Sequence, residues 1–132
     1  MFRDGRLVTT AGVAFVDGRY FLARRKPGGD LSNKWEFPGG KCDQNDDTET
    51  TCLMREFQEE FQVSVSVGAE LGTVPFEHNG TRYLLVAYEI QFGSVPEVLL
   101  EHTDAGWFLP GEVLTLDLAE SDRRLFEDVI LV

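Results

Sequence analysis

The sequence predicts an α+β protein, and three observations carry that expectation. Apolar, β-branched runs are punctuated by the dipeptides Asp17-Gly18 and Asn79-Gly80, which mark tight hairpin turns. Between them lies a segment of helical periodicity in which Leu53, Phe57 and Phe61 fall on one side. A second helical segment closes the chain, where Leu125, Phe126, Val129 and Ile130 share a side. Strands and helices do not alternate as a parallel βαβ array requires, so pattern by itself reaches α+β and no further.

Taken in order, Leu7 to Val16 reads as a strand, and Asp17-Gly18 turns the chain back into a second strand, Arg19 to Arg25. Lys26-Pro27-Gly28-Gly29-Asp30 and the residues to Lys34 form a loop. Trp35-Glu36-Phe37 is a short strand that enters the turn at Gly39-Gly40. The polar stretch from Cys42 to Asp47 ends at a helix cap, with Asp46 or Asp47 as the capping residue and Asp46 and Glu49 at capping-box spacing. The helix then runs from about Thr48 to Phe61. Val63 to Val67 and Leu71 to Phe76 read as two strands, and Arg82 to Phe92 pairs back across Asn79-Gly80. Glu97 to Gly106 reads as a mobile, irregular loop, and Ser121 starts the last helix, which extends to Ile130.

Composition narrows the function classes. A chain of 132 residues suits one domain, 1–132, with no room for a second. Lys and Arg number 12 against 23 acidic residues, a formal net charge of −11, and this excludes the basic stripe that nucleic-acid polymers need. Free nucleotides escape that objection, because their phosphates arrive with divalent cations that acidic groups attract. Cys42 and Cys52 have no His or Cys partner at zinc-ligand spacing and are expected to be reduced thiols, with Cys52 packing inside the helix. No apolar run reaches the roughly 18 residues of a membrane span and the N-terminus has no signal-like stretch, so a cytoplasmic protein without membrane partners is expected.

The predicted first helix carries a second pattern. Glu56, Glu59 and Glu60 stand at i, i+3 and i+4 and share one arc, apart from the apolar side. Such a face is either a solvated acidic surface or a set of hard oxygen ligands for Mg²⁺ or Mn²⁺.

The residues around that face resemble the Nudix box: a glycine, five residues, a glutamate, seven residues, then Arg-Glu-apolar-any-Glu-Glu-any-Gly-apolar. Gly40 stands at the opening glycine, Arg55-Glu56-Phe57 and Glu59-Glu60 match the core, and Val63 closes the pattern. Asp47 takes the place of the first glutamate, one residue farther from Gly40 than the pattern allows, with Asp46 as its rival. Gln62 stands where the family has glycine, a position that turns the chain out of the helix at positive φ. Trp35-Glu36-Phe37-Pro38-Gly39-Gly40-Lys41 further resembles the segment that introduces the box in the MutT-like branch, whose members cleave nucleoside triphosphates.

This resemblance implies the Nudix fold, a mixed β-sheet between α-helices, and a Mg²⁺-dependent reaction with Mn²⁺ as a possible substitute. Nucleoside triphosphate would go to monophosphate and pyrophosphate. The implied metal ligands are Gly40, Asp47, Glu56, Glu59, Glu60 and Glu101, the last lying six residues before Trp107. Catalytic roles fall to Glu59, Glu101 and Arg55, with Arg55 orienting the glutamates and Glu101 a mobile base or ligand. Substrate contacts fall to Arg25, Phe37, Gly39, Gly40 and Lys41, with Asp122 reading the base and Phe37 either stacking on it or packing beneath the turn. His78 and His102 are expected to be exposed loop residues, His102 able to tune Glu101. Oxidised dGTP leads the substrates, CTP or a modified pyrimidine triphosphate is the alternative, and another nucleoside diphosphate derivative ranks behind. A catalytically weak nucleotide-binding module is the reading from another class. Monomer and homodimer both remain open.

Overall fold

The computed structural model describes residues 1–132. Two small sheets are built from nine strands. β1 (Phe2–Arg3), β2 (Arg6–Val13), β6 (Gly39–Lys41), β7 (Val65–His78) and β8 (Thr81–Phe92) form the first. β2 and β8 run parallel at its centre, from Leu7 opposite Tyr83 to Val13 opposite Glu89, while the other pairings are antiparallel. The second contains β3 (Phe15–Val16), β4 (Arg19–Arg25), β5 (Trp35–Glu36) and β9 (His102–Phe108), all antiparallel about β4.

Strand β8 explains the layering. Because side chains alternate along a strand, Leu84, Val86 and Ile90 enter one core with Phe57 and Phe61, whereas Leu85 and Ala87 enter the other with Leu125 and Phe126. Helix α1 (Glu49–Phe61) therefore covers one face of the first sheet, and α3 (Glu120–Leu125) the other. A strand buried on both faces reads as a continuous apolar run, which is why Tyr83 to Tyr88 shows no polar alternation. Phe57 and Phe61 are fully buried, and each contributes about 1.5–3 kcal/mol of apolar burial.

Several local expectations are corrected. The single strand expected over Leu7 to Val16 is two, since β2 and β3 belong to different sheets and buried Ala14 marks the crossing. The two strands expected over Val63 to Phe76 are one, β7, with register shifts on either side of Glu70 that absorb the apparent break. The loop expected to Gly106 gives way to β9 at His102, where β4 supplies a hydrogen-bonding partner that local pattern does not reveal. Helix α1 is capped by Thr48, whose hydroxyl accepts from Thr51 N–H at 3.1 Å, not by Asp46 or Asp47. Helix α3 starts one residue earlier than expected, after Ala119, and its last turn widens into a π-helical turn, Phe126–Ile130. A short helix, α2 (Pro110–Val113), had no sequence signal strong enough to place it. Cys42 and Cys52 are not free thiols: they form a disulfide with Cα atoms 5.4 Å apart, closing the loop between the glycine turn and α1.

Gln62 adopts φ 54°, the left-handed exit that the glycine of the pattern provides, and its N–H donates to Gln58 C=O. The turn is kept at a cost of about 1 kcal/mol. No helix is long and apolar enough to cross a membrane.

Candidate active site

The glycine turn lies flush against its neighbours on both sides. A Cβ on Gly39 would meet the Thr10 carbonyl oxygen at 2.1 Å, and one on Gly40 would meet the Glu56 carboxylate carbon at 2.4 Å. Only glycines let strand β6 pair with β2 while Glu56 stands directly behind the turn. The Thr10 hydroxyl donates to Gly40 C=O at 3.2 Å, which fixes that carbonyl.

Arg55 organises the carboxylates from the rear. Its Nε and Nη2 donate to the two oxygens of Asp46, each at 2.9 Å, in the bidentate geometry that suits guanidinium and carboxylate. Nη1 donates to Glu56 at 3.1 Å and to Glu59 at 3.1 Å, and Nη2 reaches Lys41 C=O at 3.2 Å. Hydrogen bonds from Arg55 hold Asp46 below the usual carboxylate range, and the same bonds raise Arg55 itself. The extra residue in the loop is absorbed here: Asp46 turns inward to Arg55, while Asp47, the expected ligand, is exposed and is not brought to the cavity. Asp46 cannot cap the helix because its oxygens are committed.

A cavity of about 680 Å³ opens over this arrangement. Of the residues singled out from sequence, Arg25, Phe37, Gly39, Gly40 and Lys41 line it, as do Glu56, Glu59, Glu60, Glu101 and Asp122. Lys41 Nζ sits 5.2 Å from the centre of the Tyr83 ring. Phe37 is buried against Tyr20 and Phe126, which places it in the core beneath the turn, with an edge on the cavity.

The electrostatics are dominated by buried acid. Burial pushes Glu60 up to about 10, with the charges of Glu36, Glu56 and Glu101 adding to it and Arg25 opposing. Glu56 is raised for the same first reason, partly offset by Arg55. Asp122 lies well above the ordinary carboxylate range because it is buried and faces Glu36, although its Oδ1 accepts from Phe37 N–H at 2.9 Å.

Two residues of the site were missed as such. Glu36 is buried and lines the cavity, with Oε1 3.3 Å from Arg25 Nη1 and Oε2 2.8 Å from His102 Nε2. His102 is buried at 3% exposure rather than exposed in a loop, and it stacks on Phe61. Glu36 could have been suspected as a charge inside an apolar strand; His102 carried no signal beyond its place beside Glu101. His78 is half exposed and pairs with Asp30 at 2.8 Å.

The donor set fits a divalent cation. Glu56, Glu59 and Glu60 line the cavity and offer hard carboxylate oxygens, and Glu60 Oε2 is buried with no hydrogen-bond partner, while the Gly40 carbonyl already accepts from Thr10. A cation there would stabilise the charged forms that burial otherwise disfavours.

A family description settles what this geometry belongs to: the NUDIX domain model matches residues 6–129. The chain belongs to the Nudix family. This Nudix domain is 32% identical over 117 residues to the CTP pyrophosphohydrolase of Escherichia coli K12, covering 89% of the chain and 86% of that protein. It is 37% identical over 70 residues to the 8-oxo-dGTP diphosphatase of Proteus vulgaris, covering 50% of the chain and 62% of that protein. Its fold matches the crystal structure of a MutT Nudix hydrolase from Burkholderia pseudomallei with a TM-score of 0.81 and 27% identity, over 92% of this chain and 96% of that one. The mixed sheet between helices is thus the Nudix fold, and the protein is a Nudix hydrolase of the MutT-like branch.

Proposed function

We propose that this Nudix hydrolase uses Mg²⁺, with Mn²⁺ as substitute, to cleave nucleoside triphosphates to the monophosphate and pyrophosphate. The observation that carries this reading is that one cavity joins the acidic wall of α1 and the glycine turn to a part lined by Asp122, Phe76 and Leu85. The first suits polyphosphate, the second a planar base.

Glu56, Glu59, Glu60 and Gly40 C=O would hold the cation, which supplies positive charge against the phosphate oxygens. Arg25 and Lys41 contribute fixed positive charge to the same wall. Glu101, exposed at its rim, accepts the proton of the attacking water, and Arg55 keeps Glu56 and Glu59 in register. Asp122, whose burial disfavours the charged form, offers in its protonated form an O–H to a ring acceptor, such as O2 or N3 of cytosine or O6 of an oxidised guanine. Both bases satisfy that donor, so CTP and 8-oxo-dGTP are the two leading substrates. The CTP pyrophosphohydrolase of E. coli supports the first and the 8-oxo-dGTP diphosphatase of P. vulgaris the second.

The test is pyrophosphate release with Mg²⁺ across normal and oxidised nucleoside triphosphates, with nucleotide sugars and dinucleotides as controls. Preference for one triphosphate is expected. Turnover only of a sugar or dinucleotide substrate overturns the proposal.

A further inference from the structure

Glu101 stands on a segment that is fastened on both sides. On one side, Leu100 N–H donates to Glu60 C=O at 3.0 Å, tying the segment to the last turn of α1. On the other, the His102 ring is enclosed, stacked on Phe61 with centroids 5.2 Å apart and planes 7° from parallel. Its Nε2 lies 2.8 Å from Glu36 Oε2 and 3.7 Å from Glu60 Oε1. Glu36 is itself held at its other oxygen by Arg25. Hydrogen bonds therefore join Arg25, Glu36 and His102, with Glu60 packed beside the ring and Glu101 one residue away on the cavity rim.

Packing alone does not account for the histidine. Its Nδ1 is buried without a hydrogen-bond partner, an unfavourable arrangement that a leucine or phenylalanine against Phe61 would avoid. What those residues lack is the N–H aimed at Glu36, an acidic group buried beside Glu60 and needing a donor at each oxygen.

We propose that His102 is a positioning residue: by donating from Nε2 to Glu36 it fixes the segment carrying Glu101, and its ring confines Glu60 by contact. In place of a mobile loop base, Glu101 is then presented at a set place over the carboxylate wall. This rests on the function proposed above for Glu60 and Glu101.

The experiment compares wild type, H102L, H102Q and E36Q, first by Mn²⁺ binding without nucleotide, followed by calorimetry or the free-ion electron paramagnetic resonance signal, and then by steady-state kinetics. H102L is expected to weaken Mn²⁺ binding and lower kcat about 10- to 100-fold, the range for residues that support metal ligands, with KM for nucleotide little changed. H102Q, whose amide can still donate to Glu36, should recover most of both losses, and E36Q should reproduce the H102L defect without touching the ring. Wild-type Mn²⁺ affinity and kcat in H102L overturn the proposal. So do equal losses in H102L and H102Q in folded protein with E36Q unaffected. If H102L does not fold, H102Q and E36Q decide by the same criteria. Failure of the wild type to hydrolyse any triphosphate refutes the proposed function instead, and the Mn²⁺ comparison still reads the role of His102.

Discussion

On the α1 side of the cavity each acidic group but one has a donor behind it, whereas on the α3 side a single buried carboxyl works with a single partner. Arg55 alone engages Asp46, Glu56, Glu59 and the Lys41 carbonyl, and a disulfide closes the same loop. Asp122 accepts from one backbone N–H, that of Phe37, and otherwise lines the cavity. Under the proposed function the first arrangement would fix positions for an ion that tolerates little error in geometry. The second leaves one buried carboxyl at the cavity, and under the proposed function changing it should alter selectivity without dismantling the reaction centre. Glu36 connects the two, since its charge raises both Glu60 and Asp122.

The contrast is best broken by removing a carboxylate from the organised side. E59Q is expected to lower kcat by roughly 10²–10⁴-fold on every triphosphate alike, read by pyrophosphate release. Full activity in this variant would disprove the assignment of turnover to α1. The double variant C42S/C52S tests the covalent part of the same side. Closing a loop of sequence separation 10 stabilises by about 2–3 kcal/mol, so chemical denaturation should show a loss of that size. An unchanged midpoint would mean the pair contributes nothing to holding the loop.

On the α3 side, D122N is expected to change the ratio of kcat/KM between CTP and 8-oxo-dGTP by about tenfold, one hydrogen bond's worth, chiefly through KM. A drop in kcat common to all substrates would place Asp122 with the reaction centre instead. A last test reads stability against pH. Burial pushes Glu60 up to about 10 in the folded protein, whereas the unfolded chain releases that proton near the ordinary 4.5. The stability this proton confers is complete below about 4.5 and is lost as pH rises toward 10. Thermal unfolding of chelator-treated protein should therefore fall over that window, less steeply in E60Q and less steeply with Mg²⁺ present. A slope unaltered by E60Q would show that another group sets it.

Sequence spacing revealed what is local. The helix over Glu49–Phe61, the acidic arc of Glu56, Glu59 and Glu60, and the hairpin at Asn79-Gly80 depend on neighbours within a turn or two, and their residues announce them. What stayed hidden depends on distant partners. Glu36 and His102 meet across 66 residues, and strand β9 exists because β4 lies beside it. Asp46 and Asp47 are adjacent and chemically identical, so nothing in the string separates them; the position of Arg55 does. The cysteines lacked a metal-ligand pattern, yet the turn and the first helical residues bring them into bonding distance.

Gln62 bears on how such proteins are found. The backbone leaves α1 at φ 54° with a glutamine where the box is written with glycine, so what the motif preserves at that position is a direction of travel. A search string demanding the letter would discard this chain, and others whose helix can absorb about 1 kcal/mol of the same strain. Diagnostic patterns for this fold are better written in backbone angles than in residue names.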